Sequence, residues 1–339
     1  MLELHENGLY CKKAKIFIDP WLPVDRAIIT HAHADHSRAG NKYYLAHPYS
    51  EGVMKYRLGQ GISFQGLDYH QKLTINGVEI SLHPAGHIPG SSQVRLEYKG
   101  QVWVVSGDYK LEDDRICTPF EAVKCDTFIT ECTFGLPVFQ WKDQNSIFNE
   151  INEWWLSNQN EGLCSVIFAY SLGKAQRILE NLNIEQGNIY VHGAIANTNV
   201  ALVQSGVNLR TYPQADPEMS KKSYEGSIII APPGAMNSSW MKKFTPYRSA
   251  IASGWMNLRG PRRRKAVDRG FILSDHADWD GLNRAVEATG AEQVLTTHGY
   301  TAVFSKWLNE KGINSSELKT QFLGETLDKL DVEDPNLAE

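Results

Sequence analysis

The sequence predicts an α/β protein in which a strand-rich domain is interrupted at roughly 140–260 by an α/β insertion. Three observations predict it. The first ~130 residues read as short strands separated by turns, the pattern of half-buried sheets. Beyond about Asp143, helical stretches alternate with short apolar runs, as in βαβ units around a parallel sheet. Histidines and aspartates also recur at the ends of strand-like runs on both sides of this middle segment.

In chain order, KIFIDP (15–20) and RAIITHAH (26–33) are strand-like, and each ends in a polar cluster. Residues 72–87 hold Asn76-Gly77 between two alternating runs, a dipeptide suited to a tight hairpin turn. Residues 94–108 repeat that logic around Lys99-Gly100, and 126–135 form an apolar strand carrying Glu131. The insertion opens with a helical pattern at 146–159, followed by a strand at 164–171 and a helix at 172–182. Short apolar runs at 188–193, 227–234 and 247–255 are each bounded by glycine, proline or serine. After the basic run 259–265, strand–loop–helix units return at 271–289 and 292–312. The expected boundaries are therefore 1–140, 141–260 and 261–330, with an acidic tail at 331–339 that is expected to fray.

With 42% hydrophobic and 22% charged residues, the 339-residue chain can bury a substantial core. A formal charge of −5 does not advertise a polyanion partner. Nor does it exclude one, because bound divalent cations would concentrate positive charge at one spot. Cys11, Cys117, Cys125, Cys132 and Cys164 show no paired spacing, which points to reduced thiols. The start lacks the basic-then-apolar pattern of a secretory leader. No run approaches the ~18 apolar residues of a membrane span. The expectation is a cytoplasmic protein without membrane association.

The densest chemistry is Thr30-His31-Ala32-His33-Ala34-Asp35-His36. At a strand-to-loop junction His31 and His33 point to one side, and Asp35 and His36 can turn back toward a second point. Imidazole and carboxylate are ligands that zinc and manganese accept. His87 in AGHIPGSS, Asp108 closing WVVSGD and His298 in VLTTHG share one placement, a strand end beside glycine. Seven such ligands suit two divalent metal ions, zinc or manganese.

HAHADH resembles the HxHxDH signature of metallo-β-lactamase-fold hydrolases, and His87, Asp108 and His298 follow in the expected order. The resemblance implies an αββα sandwich. It also implies that His31, His33 and His87 hold one metal and Asp35, His36 and His298 the other, with Asp108 shared. Glu131 in ITECTFG and His276 in FILSDHADW resemble the acidic and histidine motifs of the β-CASP nucleases, whose cap falls where the insertion falls here. The wording GLYC…IDPW…THAHADH, with SGWM…RRR…LSDHADW later, is similar to bacterial DNA-ligase-associated exonucleases. That likeness implies a 5′-to-3′ DNA exonuclease of DNA repair, acting beside an ATP-dependent DNA ligase and a helicase, with DNA favoured over RNA.

The chemistry expected of such a site is phosphodiester hydrolysis, with a metal-bridging hydroxide as nucleophile. Asp35 and Asp108 belong to the catalytic centre, His276 is placed to protonate the leaving oxygen, and Glu131 to orient that imidazole. The alternative for Asp275 and His276 is capping of the helix that follows. Ser171, Gly173 and Lys174, at the start of a helix, are candidate phosphate contacts, and β-CASP nucleases carry a similar G-[KR]-x-Q segment there. An ordinary amphipathic helix start gives the same spacing. Arg262 and Arg263 offer a basic patch for a polyphosphate strand, and Trp255 a stacking surface. Histidine at position 298 keeps an RNA-processing role as the alternative, and a small-molecule hydrolase stands behind it.

Overall fold

The computed structural model describes residues 1–216, 218–258, 260 and 267–321. Arg262, Arg263 and the acidic tail 331–339 lie outside the described residues. The chain forms two compact units. The first comprises Met1–Gln140, the short stretch Gln204–Val207 and the described residues from His276; the second comprises Trp141–Val203 and the described residues of Asn208–Asp275.

The first unit is built on two sheets. One runs in chain order through six strands, Leu2–His5, Gly8–Cys11, Ile16–Ile18, Arg26–Ile28, Tyr43–Ala46 and Phe64–Gly66. The other has seven strands, in the order Asn314–Glu317, Gln293–Gly299, Thr127–Cys132, Gln101–Val105, Ser92–Tyr98, Val78–Pro84 and Lys72–Ile75. Both expected hairpins form. Asn76 and Gly77 have φ of 51° and 82°, and Lys99 and Gly100 have 52° and 80°, so each pair joins its strands through a two-residue left-handed turn.

Strand alternation divides the apolar side chains between two layers. Val105 and Ile129 face inward with Ile80, Leu82, Val94 and Leu96, packing on Ile16, Ile18, Ile28 and Leu45 of the first sheet. Val104, Phe128 and Val294 face the other way, onto Leu282, Ala285, Val286, Phe304 and Leu308. Those residues belong to helices Trp279–Thr289 and Thr301–Glu310. With helix Glu51–Leu58 in the same unit, this is the αββα layering that the sequence implied. Glu51–Leu58 itself escapes a sequence reading: it is short and buries only Val53, Met54 and Arg57, so no apolar stripe announces it.

The second unit is an α/β cap around a five-stranded sheet, ordered Ile189–Val191, Ile228–Ala231, Cys164–Phe168, Tyr247–Ala252 and Arg269–Phe271, with every pairing parallel. Its core joins Ile147, Ile151 and Trp155 of helix Gln144–Asn160 to Ile167, Ile178, Ile228 and Ile230. Arg269–Phe271 pairs along Ala250–Ala252 in this sheet. The return to the first unit therefore comes at His276 and not at 261. The basic run misled the boundary because a charge cluster marks a surface, not a change of core.

No described helix is long and apolar enough to cross a membrane. The five cysteines are buried, and none is in a disulfide.

Candidate metal centre

Every candidate ligand sits in the first unit, just beyond or within the end of a strand. Gln101–Val105, Thr127–Cys132 and Gln293–Gly299 run parallel, so their C-terminal ends bring Asp108, Glu131 and His298 to the same edge of the sheet. Val78–Pro84 has the same direction, two antiparallel steps away, and delivers His87 there too. Arg26–Ile28 of the other sheet leads into Thr30 and His31, and the sheets are tied here by Ser92 N–H donating to the Thr30 carbonyl at 2.8 Å.

His298 reaches its place through a β-bulge. Thr297 opposes Glu131 and Gly299 opposes Cys132, which leaves His298 as the extra residue. It has φ of 62°, a conformation most side chains avoid, and its Nδ1 lies 3.0 Å from Asp108 Oδ1. Gly299 follows with φ of 95°, and a Cβ there would stand 2.3 Å from the Cys132 carbonyl oxygen. Only glycine permits this bulge.

The structure brings the predicted ligands together. One atom each of His31, His33, His87 and Asp108 lies within 4.8 Å of the others, and the same holds for His36, Asp108 and His298. Asp108 belongs to both sets. Asp108 Oδ2 is 3.6 Å from His31 Nε2 and 3.6 Å from His36 Nε2. Asp35 stands slightly apart, with Oδ2 3.9 Å from His36 Nε2.

The far sides of the imidazoles are engaged in the way metal ligands are oriented. His36 Nδ1 is 2.7 Å from Asp19 Oδ2, and His31 Nδ1 is 3.0 Å from Thr30 Oγ1. Asp19 in turn accepts from Thr30 N–H at 2.8 Å and from Thr30 Oγ1 at 2.6 Å. Arg57 pins the same loop by donating to the Ala32 carbonyl at 2.9 Å and to Ser37 Oγ at 2.7 Å. Asp19 and Arg57 are the residues that sequence reasoning missed. Asp19 closes the apolar run within KIFIDP (15–20), a polar residue at a strand end whose role spacing alone does not reveal.

Buried charge at this density needs counter-charge. Burial alone would raise the Asp108 carboxyl, but the His298 and His36 imidazoles hold it well below the usual range. His36 responds in the opposite sense: burial opposes its protonation, yet Asp108, Asp35 and Asp19 raise it well above an ordinary imidazole. His31, fully buried, is pushed down by desolvation and by His36, and its Nε2 makes no hydrogen bond. A buried imidazole nitrogen without a hydrogen bond, aimed into a set of nitrogen and carboxylate donors, fits a divalent cation.

Beside this cluster lies a second buried pair. His276 Nδ1 is 2.9 Å from Glu131 Oε1 and 3.0 Å from Oε2. Glu131 also accepts from Tyr109 N–H at 2.8 Å and from Thr133, so its position is fixed on several sides. The His276 and His87 ring centroids are 4.6 Å apart, and Asp108, Glu131 and His276 contribute atoms within 4.8 Å of one another. The capping role weighed for Asp275 and His276 falls to Asp278, whose side chain accepts from Gly281 N–H at 2.8 Å.

The predicted substrate contacts belong to the second unit and behave differently. Gly173, at φ of 94°, precedes helix Lys174–Asn181, and its N–H donates to Gln176 Oε1 at 2.7 Å. Gln176 Nε2 donates back to the Ser171 carbonyl at 2.8 Å. Lys174 is fully buried with Nζ 3.3 Å from Asp275 Oδ2, while Arg177 Nη1 donates to Asp275 Oδ1 at 2.6 Å. The Lys174 ammonium thus serves a buried ion pair and is no exposed phosphate clamp. A lysine opening a helix reads the same in sequence whether it faces in or out. Trp255 is buried as well and offers no open stacking face.

Residues 11–158 match the metallo-beta-lactamase superfamily. A relative described as a probable DNA ligase, from Opitutus terrae, is 31% identical over 91% of this chain and 30% of its own length. Endoribonuclease YSH1 of Yarrowia lipolytica is 23% identical over 55% of this chain and 27% of that protein. The ysh1 endoribonuclease of Schizosaccharomyces pombe is 21% identical, covering 85% of this chain and 50% of the relative. This chain therefore spans half the length of these relatives or less. A crystal structure of a protein of unknown function from Enterococcus faecalis V583 shares the fold, with a TM-score of 0.61 at 11% identity over 87% of this chain and 79% of that one.

Proposed function

The chain belongs to the metallo-beta-lactamase superfamily, and we propose that within it the chain is a metal-dependent nuclease, a 5′-to-3′ DNA exonuclease of DNA repair. The observation that carries this reading is the Glu131–His276 pair, buried beside Asp108. Phosphodiester hydrolysis needs a proton for the departing oxygen. Glu131 holds His276 through Nδ1, which fixes the ring for that role.

In this reading His31, His33 and His87 hold one divalent cation, Asp35, His36 and His298 a second, and Asp108 both. Zinc and manganese suit such donors. Bound cations would supply Lewis acidity toward phosphodiester oxygens and lower the pKa of water. Asp19 and Thr30 keep the His36 and His31 rings turned so that each Nε2 faces Asp108. Ser171, Arg262 and Arg263 are proposed strand contacts.

DNA is favoured by the likeness to a segment of a protein described as a probable DNA ligase; an ATP-dependent ligase and a helicase are the partners proposed with it. The endoribonuclease relatives favour RNA processing as the second reading. A panel of 5′-phosphorylated and unphosphorylated, linear and circular, DNA and RNA strands decides between them. Shortening of linear DNA from a 5′-phosphate, with circular strands left intact, is the expected result. Preferential or internal cleavage of RNA would establish the alternative.

A further inference from the structure

A second cluster of metal-ligating side chains lies outside the centre described above. His70, His83 and Glu121 each offer one atom within 4.8 Å of the others. His70 Nε2 is 3.3 Å from Glu121 Oε2, and His83 Nδ1 is 3.5 Å from Glu121 Oε1. The two rings meet edge to face at a centroid separation of 4.9 Å.

Each member is held from behind. His83 lies on strand Val78–Pro84, and its Nε2 is 3.0 Å from Ser81 Oγ, which turns Nδ1 toward Glu121. His70 has φ of 64°, and its N–H is tied to the Leu82 carbonyl at 2.8 Å, beside that same strand. A left-handed conformation is uncommon for a non-glycine residue and marks a position that the surroundings impose. The Glu121 backbone is fixed at both ends: its N–H donates to the Pro84 carbonyl at 3.2 Å, and its carbonyl accepts from Gln93 Nε2 at 2.6 Å. Three segments remote in the chain are thus braced on one strand with their donor atoms converging.

The contacts within the cluster are not hydrogen bonds of ordinary quality. His83 Nδ1 is buried and makes none, although a carboxylate oxygen stands 3.5 Å away. Ligands about 2.0–2.1 Å from a tetrahedral zinc stand about 3.4 Å from one another. The two separations to Glu121, 3.3 and 3.5 Å, are of that size.

We propose that His70, His83 and Glu121 form an accessory site for a borderline divalent cation such as Zn²⁺, distinct from the buried centre. Its side chains are 57%, 13% and 46% exposed respectively, so the site opens to solvent and completes its coordination with water. Two imidazoles and one carboxylate with an open position form a donor set that zinc accepts and that magnesium does not favour.

The test is the Zn²⁺ stoichiometry of the full chain by equilibrium dialysis, comparing the wild type with His70→Ala and Glu121→Gln. Both substituted residues are well exposed and outside the proposed catalytic centre, so the variants are expected to fold and to keep their cleavage activity. Each is expected to bind one equivalent fewer than the wild type. Zn²⁺ added to the wild type should also shift the His70 and His83 imidazole resonances in a saturable manner. Equal stoichiometry in all three proteins, or imidazole resonances indifferent to Zn²⁺, overturns the proposal.

Discussion

The Glu131 carboxylate meets His276 Nδ1 through both oxygens, at 2.9 and 3.0 Å, across 145 positions of sequence. The acid sits within a strand of the first unit and the imidazole at the residue where the chain re-enters that unit. If His276 is the proton donor, His276→Ala should lower the rate of strand cleavage by about 10²–10⁴-fold, the usual range for a positioned general acid. Single-turnover cleavage of end-labelled DNA measures it, with metal content followed in parallel. A variant that loses activity only because it loses metal would assign His276 to the ligand set instead.

Asp19 orients His36 without belonging to the proposed ligands. Removing a group that positions a metal-bound histidine typically costs 10–100-fold in metal affinity or activity, so Asp19→Ala is expected to weaken metal retention by about that factor. Competition with a chromophoric chelator reads this directly. Retention equal to the wild type would reduce Asp19 to a structural hydrogen-bond acceptor.

The bulge at His298 makes a stability prediction that needs no metal. At Gly299, Gly299→Ala places a methyl 2.3 Å from a backbone oxygen at φ of 95°, and is expected to cost at least about 1–3 kcal/mol. Gly61→Ala meets nothing within 4 Å and has an ordinary φ, so it should be neutral or stabilising by up to about 1 kcal/mol. Urea denaturation of the two variants gives the contrast, and equal midpoints would contradict the bulge geometry.

His47, which belongs to neither proposed ligand set, provides a pH prediction. Burial pushes its imidazole down to about 4, with Asp68 acting weakly the other way. Its Nδ1 accepts from Tyr49 N–H at 3.2 Å, and its ring stacks on Tyr69 at 3.8 Å, an arrangement that requires the neutral form. The unfolded chain takes up the proton near 6.5 and the folded chain only near 4. The stability contributed by neutral His47 is thus complete above about 6.5 and declines as pH falls toward about 4. A histidine NMR titration should find His47 unprotonated at pH 5.5, and a midpoint near 6.5 would contradict its burial.

Arg262 and Arg263 carry the last prediction. If they grip phosphates, charge neutralisation at both should raise KM for DNA with little change in kcat, and should flatten the salt dependence of binding. An unchanged salt slope would remove them from the substrate path.

Much of this architecture was legible because the candidate ligands repeat one local signature, a polar residue closing an apolar strand beside glycine. That signature located His87, Asp108 and His298, and the I′ dipeptides at Asn76-Gly77 and Lys99-Gly100 fixed two hairpins. What escaped depends on direction in space. Asp19 and Thr30 serve the site by facing imidazoles whose orientation no spacing reveals. Lys174 opens a helix as a phosphate ligand would, yet turns inward to Asp275, 101 positions later in the chain. The bulge at His298 arises from its register against Glu131, a strand pairing that no local pattern encodes.

Seven side chains from distant segments are proposed to hold two divalent ions around Asp108. Anomalous diffraction from crystals of the full chain grown with Zn²⁺ or Mn²⁺ tests it most directly. One peak among His31, His33, His87 and Asp108 and a second among Asp35, His36, Asp108 and His298 is the predicted result. A metal-soaked crystal with no peak beside Asp108 would contradict it.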